Sequence, residues 1–551
     1  MKKIVCAVLL CLLIATCFIA CSEREQKIVV SFETNGGSAI SARETTVADP
    51  PISKKDGFRL EGWYRDSDFR ERAVFPFSPT ADCVLYANWT DITTGSLGIK
   101  YEKNATLDAF IASSFSGNSI SVCIPDTHLG LPVVGIKKGF LKIKSYVVNF
   151  CIGKNVTEIE EEFYRCYSLN SFEIIGSNER YEIDGDSLCD KKEDKIVAYP
   201  VALKKDIFSF DRTLAKNALI YNDNIQKIVF GENAKAEDGA FEGLKSLKEF
   251  SVNESNNYYK AVDGILYSKD EQILYRYPQG RKGDEYAVSD KTVTVSEAAL
   301  EQTHLKKITL GKNVKEFFDF SSVPLLEEIA VEKNNAYFQS IDGALYSSDG
   351  KTAVRFPCAK TGEYSVKQDT EIIGEFAFSE CKISSVVLPK SVKNVKEFAF
   401  NFCVNLEKVR FEKESELTYL AENSLVGCTG LKTFILTTRR PPQTAAALFS
   451  ATSSDLKIVV PSNVKEAYAY YWDFAASKLS DTGTAVTNYT VLFDANGGSE
   501  VSEIHGAFIL KAPSTKKEGA IFLYWADEDD SEVVFPYFIE GYKRFSAVWS
   551  E

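Results

Sequence analysis

Residues 400–411 read FNFCVNLEKVRF. Two signals overlap in this stretch. The first is Phe400-x-x-Cys403. The second is the hexad Leu406–Phe411, apolar-x-x-apolar-x-apolar. Val409 and Phe411 lie two apart, so a strand sends both to one face and Arg410 to the other. The hexad returns as LNSFEI from Leu169, IQKIVF from Ile225, LKEFSV from Leu247 and LKKITL from Leu305. It returns again as LEEIAV from Leu326, ISSVVL from Ile383 and LKTFIL from Leu431. Each copy reads as a short half-buried strand. The Phe-x-x-Cys step recurs at Phe163/Cys166 and Phe378/Cys381, and as Leu425/Cys428. Cys381 to Cys403 is 22 residues and Cys403 to Cys428 is 25, the length of one turn of a repeat solenoid. Cys166, Cys381, Cys403 and Cys428 are therefore expected at one inward packing site per turn, since cysteine is small, apolar and often fully buried. Neighbouring turns could bring two such cysteines together, and the sequence leaves the disulfide state open.

A longer period lies over the short one. Asp-Gly occurs at 184, 263 and 342, in steps of 79 residues. The second and third copies read DGILYSKDEQILYRYP and DGALYSSDGKTAVRFP, two apolar strands around a polar turn, and a β-hairpin is expected in each. The unit is then two solenoid turns and one hairpin, used three times. One unit cannot bury its own apolar face, so stacking must stabilise it.

With the tract IPDTHLGLPVVGIKKGF from Ile124 and VVLPKSVKNV from Val386, these repeats resemble BspA-type leucine-rich repeats over residues 96–480. The segment KIVVPSNVKEAYAYYWDFA from Lys457 is similar to that family's closing segment. There Ala467, Tyr468, Tyr471 and Phe474 fall at helical spacing, as an apolar cap. The expected fold is a mostly β repeat protein, a leucine-rich repeat solenoid with β-hairpin insertions.

FETNGGSAI from Phe32 and FDANGGSEV from Phe493 open two segments that match along nearly their whole length. Asn35 aligns with Asn496, Trp63 with Trp525, Phe75-Pro76 with Phe535-Pro536 and Trp89 with Trp549. Asn-Gly-Gly supplies the positive φ of a tight turn after a strand. Trp63 and Trp525 are expected to anchor small cores. The segments 28–90 and 488–551 resemble the Listeria–Bacteroides repeat, a small β-grasp-like module, although Leu523-Tyr524 stands where Gly usually precedes the tryptophan. The resemblance leaves open whether these flanking modules bind or only space.

The chain starts MKKIVCAVLLCLLIATCFIAC. A basic pair followed by a short apolar run is the form of a secretory signal. Phe18-Ile19-Ala20-Cys21 resembles a bacterial lipobox, with Phe in place of the usual Leu. Residues 1–21 are expected to be removed or lipidated, with Cys21 as the diacylglyceryl-bearing residue that tethers the chain to a membrane.

The net charge of −13 argues against a nucleic-acid partner. The three histidines, His128, His304 and His505, stand apart, with no second ligand at metal spacing. No cofactor or metal is implied, and no GxSxG, P-loop or HExxH occurs. Three short signals read first as turns: Lys282-Gly283-Asp284, Asp527–Asp530, and Arg439-Arg440-Pro441-Pro442. The solenoid sheet face is the remaining candidate site. Its outward positions are Glu173, Val229, Ser251, Thr309, Ala330, Val387, Arg410 and Ile435. Val387, Arg410 and Ile435 belong to successive turns and form the candidate ligand face, against the plainer reading that their aliphatics serve sheet propensity. The expectation is a non-enzymatic lipid-anchored surface protein. It would adhere through the solenoid to a macromolecular ligand: a host matrix protein, a glycan or a cell-surface protein. A scaffolding lipoprotein of the envelope is the alternative.

Overall fold

The computed structural model describes residues 28–550 except Ala105, Ile143 and 318–322. The lipobox and Cys21 lie outside the described residues. The chain forms two compact units. The first runs to Leu247 and includes Val252–Asn257; the second comprises Lys248–Ser251 and everything from Tyr258 on.

In the first unit, the strands Val29–Glu33, Arg43–Glu44, Phe58–Tyr64 and Cys83–Asp91 make a four-stranded sheet. Asn35 and Gly36 both adopt positive φ, +48° and +84°, as the Asn-Gly turn demands. The next glycine, Gly37, has a different reason. A Cβ there would collide with the Trp89 ring, so glycine is what lets that ring close over the turn. Trp63 is fully buried and its indole N–H donates to Pro51 O at 3.0 Å. Beyond this module, strands Ser121–Cys123, Asn149–Ile152 and Ser171–Ile174 stack in parallel, one per turn, with Phe150 level with Phe172.

Each 79-residue unit holds a three-stranded meander rather than the two-stranded hairpin expected. In the second unit the strands are Tyr259–Val262, Ile265–Ser268 and Ile273–Arg276, and the later copy repeats them at Phe338–Ile341, Ala344–Ser347 and Thr352–Arg355. In the second and third copies the Asp-Gly pair is itself the first turn, whereas in the first copy Asp184 pairs with Ser187 and the turn is Gly185-Asp186. Asp263 and Gly264 have φ of +49° and +74°, and Asp342 and Gly343 have +51° and +76°. Two successive positive φ values make the turn whose twist matches an antiparallel pair. The strand before the turn, YKAV in one copy and FQSI in the other, is four residues long and broken by polar residues, so no apolar run marks it. The meanders are part of the solenoid wall: Ile273 pairs in parallel with Thr294 and Thr352 with Ile372. Each is also pinned by a tyrosine pair, Tyr267 with Tyr286 and Tyr346 with Tyr364. In the first copy, aligned by its own turn, Cys189 and Phe208 stand at these two positions. Both hydroxyls are missing together, so none is left buried without a partner.

The second unit stacks its last turns into two six-stranded sheets. One runs through Thr352–Arg355, Ile372–Ile373, Asn394–Val395 and Tyr419–Leu420. The other orders Gly362–Ser365, Ile383–Leu388, Lys408–Phe411, Thr433–Ile435, Lys457–Val460 and Leu479–Asp481. The core between them repeats once per turn. Phe356, Phe378 and Phe400 stack with centroids 5.1 and 5.0 Å apart. Beside them, Cys403 Sγ donates to Phe378 O at 2.8 Å and Cys428 Sγ to Phe400 O at 3.0 Å. Each thiol thus satisfies a carbonyl of the preceding turn. A short helix, Lys465–Tyr471, closes the stack. Ala467 and Tyr468 are buried as expected of a cap, but Tyr471 and Phe474 are exposed. The α-helix ends at Tyr471 and a 3₁₀ turn, Asp473–Lys478, follows. That change of pitch brings Trp472 and Ala475 inward instead.

The second module, from Tyr489, repeats the first in detail. Trp525 donates to Pro513 O at 2.9 Å, and Asn496 and Gly497 carry φ of +46° and +84°. Its sheet orders Ile504–Gly506, Tyr489–Asp494, Lys543–Trp549 and Phe522–Ala526.

One buried acid gives the first unit a pH dependence. Glu161 is nearly inaccessible, and burial pushes its carboxyl up to about 7, against the pull of N–H groups of Phe140, Leu141 and Gly139. A carboxyl whose folded pKa is raised binds its proton more tightly when folded. Its contribution to stability is therefore full below about pH 4.5 and is lost as pH rises to about 7. The loss is on the order of 3 kcal/mol. Denaturant titrations at several pH values are expected to show this decline in the wild type and a flatter profile in Glu161→Gln.

Candidate functional site

The outward side of the six-stranded sheet in the second unit is built by register. Ser365 pairs with Val387, Val387 with Arg410, Arg410 with Ile435 and Ile435 with Val459. Val387, Arg410 and Ile435 are thus immediate neighbours in one row. A second row beside it runs Glu363, Ser385, Lys408, Thr433 and Lys457. Ser385 Oγ donates to Glu363 Oε2 at 2.8 Å. Arg410, Lys408 and Lys457 are exposed, while Ile435 is half-buried. Val387 is only 6% exposed, which corrects its expected place as an open aliphatic contact. A short side chain in a row beside a long arginine has little surface left to offer. The face is consequently cationic, three basic groups against Glu363, in a chain whose net charge is −13.

Thr309 and Ala330 are register partners in a separate three-stranded sheet of the same unit, with Ala287 beside them. In the first unit, Val229 pairs with Ser209. Glu173 lies in the row Cys123, Cys151, Glu173. Cys123 and Cys151 do not belong to the Phe-x-x-Cys step; they occupy outward strand positions of adjacent turns and are joined as a disulfide. Their burial comes from above, because the first module sits on this part of the sheet.

That docking rests on residues the sequence did not single out. Arg59 is 3% exposed and pairs with Glu61. Its guanidinium also donates to Ser119 Oγ at 3.1 Å and to Ser121 O and Thr94 O at 3.4 Å. Ser119 Oγ lies 3.1 Å from Glu61 Oε2, and the Ile120 N–H donates to Glu61 O at 3.3 Å. Ile120 and Val148 complete the apolar core of the module. A cleft remains between module and sheet, lined by Lys55, Phe58, Trp89, Asn149, Ser171 and Glu173 among others. The second module is held differently. Arg439 donates to Ile539 O at 2.6 Å, Arg440 to Glu540 Oε1 at 2.8 Å, and Tyr471 stacks on Phe538. The two arginines before Pro441 therefore make an intramolecular contact as well as a turn.

The other short signals resolve into local structure. Asp284 pairs with Lys306 of the next turn at 2.9 Å. Asp527 Oδ1 accepts the N–H groups of Asp529 and Ser531, an acidic residue closing its own loop. His128 is half-buried, stacked on Tyr101 with centroids 3.9 Å apart. Burial pushes the Cys166 thiol up to about 12 and that of Cys403 well above the usual range, so both thiols are held protonated. Among the described residues, no three His, Cys, Asp or Glu side chains are grouped to hold a metal ion.

Residues 353–478 match the BspA type leucine rich repeat region in six copies. Residues 29–88 and 489–536 match the Listeria-Bacteroides repeat domain. A protein of Evansella cellulosilytica, provisionally named a Gly-rich membrane protein, is 31% identical over 161 residues, covering 28% of this chain and 18% of that protein. A second membrane protein of the same organism, also provisionally named, is 25% identical over 159 residues, covering 28% and 23%. The chain spans about a fifth of the length of these relatives. Among solved structures, a leucine rich cell surface protein of Faecalibacterium prausnitzii is 20% identical, covering 72% of this chain and 96% of that one, with a TM-score of 0.33. The pneumococcal vaccine antigen PcpA is 15% identical, covering 84% and 90%, with a TM-score of 0.30.

Proposed function

From a chain that carries BspA-type leucine-rich repeats and two Listeria–Bacteroides repeat domains, we propose a bacterial surface protein that binds an acidic macromolecule through the last turns of its solenoid. The observation that carries this reading is the pair of outward rows on the six-stranded sheet. They expose Lys408 and Arg410 on one strand and Lys457 two strands away, with Thr433 between the two lysines and aliphatic Ile435 and Val459 continuing the row of Arg410. Cations flanked by apolar surface suit a partner that is both charged and partly apolar, and repeat solenoids use such sheet surfaces for binding. The role is adhesion rather than catalysis. The export signal and Cys21 would deliver the chain to the outside of a membrane and hold it there.

The test is an array of matrix proteins, glycans and whole bacterial cells probed with residues 22–551. Saturable binding that weakens with added salt is the expected result. A blank array from folded protein would overturn the adhesive reading and turn the search to envelope partners of the producing cell, as for a scaffold.

A further inference from the structure

The two modules offer an internal comparison. Their sheets are equivalent, and the strand carrying the buried tryptophan is the edge strand in both: Phe58–Tyr64 in the first, Phe522–Ala526 in the second. Both edges bulge at the same place, at Glu61 and at Leu523. Both are closed at one end by the returning loop, through Ala73 N–H to Trp63 O and Val533 N–H to Trp525 O. They differ in what covers the rest. In the first module Glu61 O accepts the Ile120 N–H, and Arg59 and Glu61 are buried against residues 119–121 of the solenoid. In the second module the matching positions are Ile521 and Leu523, 71% and 54% exposed. The carbonyl of Leu523 has no such partner among the described residues, because this module is held through Phe538, Ile539 and Glu540 instead.

We propose that this open edge, residues 521–524, is an interface with a second copy of the chain. An unpaired strand edge is a template for another strand, and proteins normally guard it with charge. No charged residue occurs from Gly519 to Ala526. The stretch is therefore self-complementary. Two copies related by a twofold axis can pair antiparallel here, each supplying both sides of an apolar contact without like charges meeting. The first module shows that this edge accepts a main-chain hydrogen bond, Ile120 N–H to Glu61 O, when an element is offered to it. The solenoid segment that serves there is already occupied by the copy's own first module. The free element of matching chemistry is the same edge on another copy.

Sedimentation equilibrium of residues 22–551 over roughly 1–100 µM tests this. The expected average mass rises with concentration toward twice the monomer. Ile521→Arg combined with Leu523→Glu restores the residue pair of the first module and is expected to remain monomeric, with an unchanged circular dichroism spectrum since both side chains are exposed. A wild type that stays monomeric throughout, or a dimer that the double variant leaves intact, overturns the proposal. Leu523→Cys gives an independent reading. The free cysteines of the described chain are buried apart from half-buried Cys83. Oxidation is expected to crosslink the variant into a dimer, and a dimerising variant that does not crosslink would place the contact elsewhere.

Discussion

Phe400→Ala is expected to lower the stability of the last solenoid turns by about 3–5 kcal/mol. Phe400 is buried between the two six-stranded sheets and stacks on Phe378 at 5.0 Å and 15°. Truncation removes the aromatic transfer energy and leaves a cavity in a site that cannot collapse, because the backbone on both sides is tied into the turns. The Phe400 N–H donates to Ser424 O at 2.8 Å and Phe400 O accepts the thiol of Cys428. In a stack of repeats each turn is stabilised chiefly by its neighbours. The loss should therefore be concentrated in turns 378–428. A chain of several units does not unfold in two states, so one midpoint would blur the effect. Hydrogen exchange resolved by segment is the proper reading. Strands Ile383–Leu388 and Lys408–Phe411 should lose protection by roughly a hundredfold or more, while Trp63 and its surroundings keep theirs. Phe400→Leu, which refills most of the space, should recover much of the protection.

Arg59→Ala is the second large effect, expected at about 3 kcal/mol. The cost arises from what is left behind. Glu61, 18% exposed in its side chain, would keep the Ser119 hydroxyl but no cation nearer than Arg72 at 3.8 Å. Ser119 and the carbonyls of Ser121 and Thr94 would each lose a donor. The first module should loosen from the solenoid without unfolding, since most of its core, with Val30, Trp63, Phe75 and Leu85, comes from its own strands and loops and only Ile120 and Val148 from the solenoid. Limited proteolysis is expected to cut near residues 92–98 and 116–120 in the variant and to leave residues 29–90 as a resistant fragment. A cleavage pattern equal to wild type would show that the ion pair does not hold the module in place.

The periodic parts of this molecule were legible because each repeats the same physical problem. Phe400/Cys403 and Val409/Phe411 could be assigned inward from spacing alone, since every turn must bury the same face. The paired modules were legible for a similar reason: the second Asn-Gly-Gly turn poses the same steric demand as the first. The contacts between modules and solenoid were not. Arg59 meets Ser119, Arg439 meets Ile539, and neither pair has any period or motif, because each interface occurs once. The candidate face was legible in part. Register neighbours could be counted from the hexads, so Val387, Arg410 and Ile435 were assigned to one row. Exposure could not be counted, because it depends on the lengths of neighbouring side chains, and Val387 is covered while Arg410 is not. The second row, with Lys408 and Lys457, has no aliphatic residue to mark it. Reading both outward positions of each hexad would have found it.

The most direct test of the account compares three proteins against the ligand found on the array: wild type, Lys408→Glu with Arg410→Glu, and Lys396→Glu. The first variant reverses charge on the outward rows; the second changes an exposed lysine beside the other sheet. Equilibrium titration by surface plasmon resonance is predicted to show at least about a tenfold weaker Kd for the double variant, a loss of about 1.4 kcal/mol or more, and no change for Lys396→Glu. Equal binding by all three proteins would contradict the assignment of the ligand to this face.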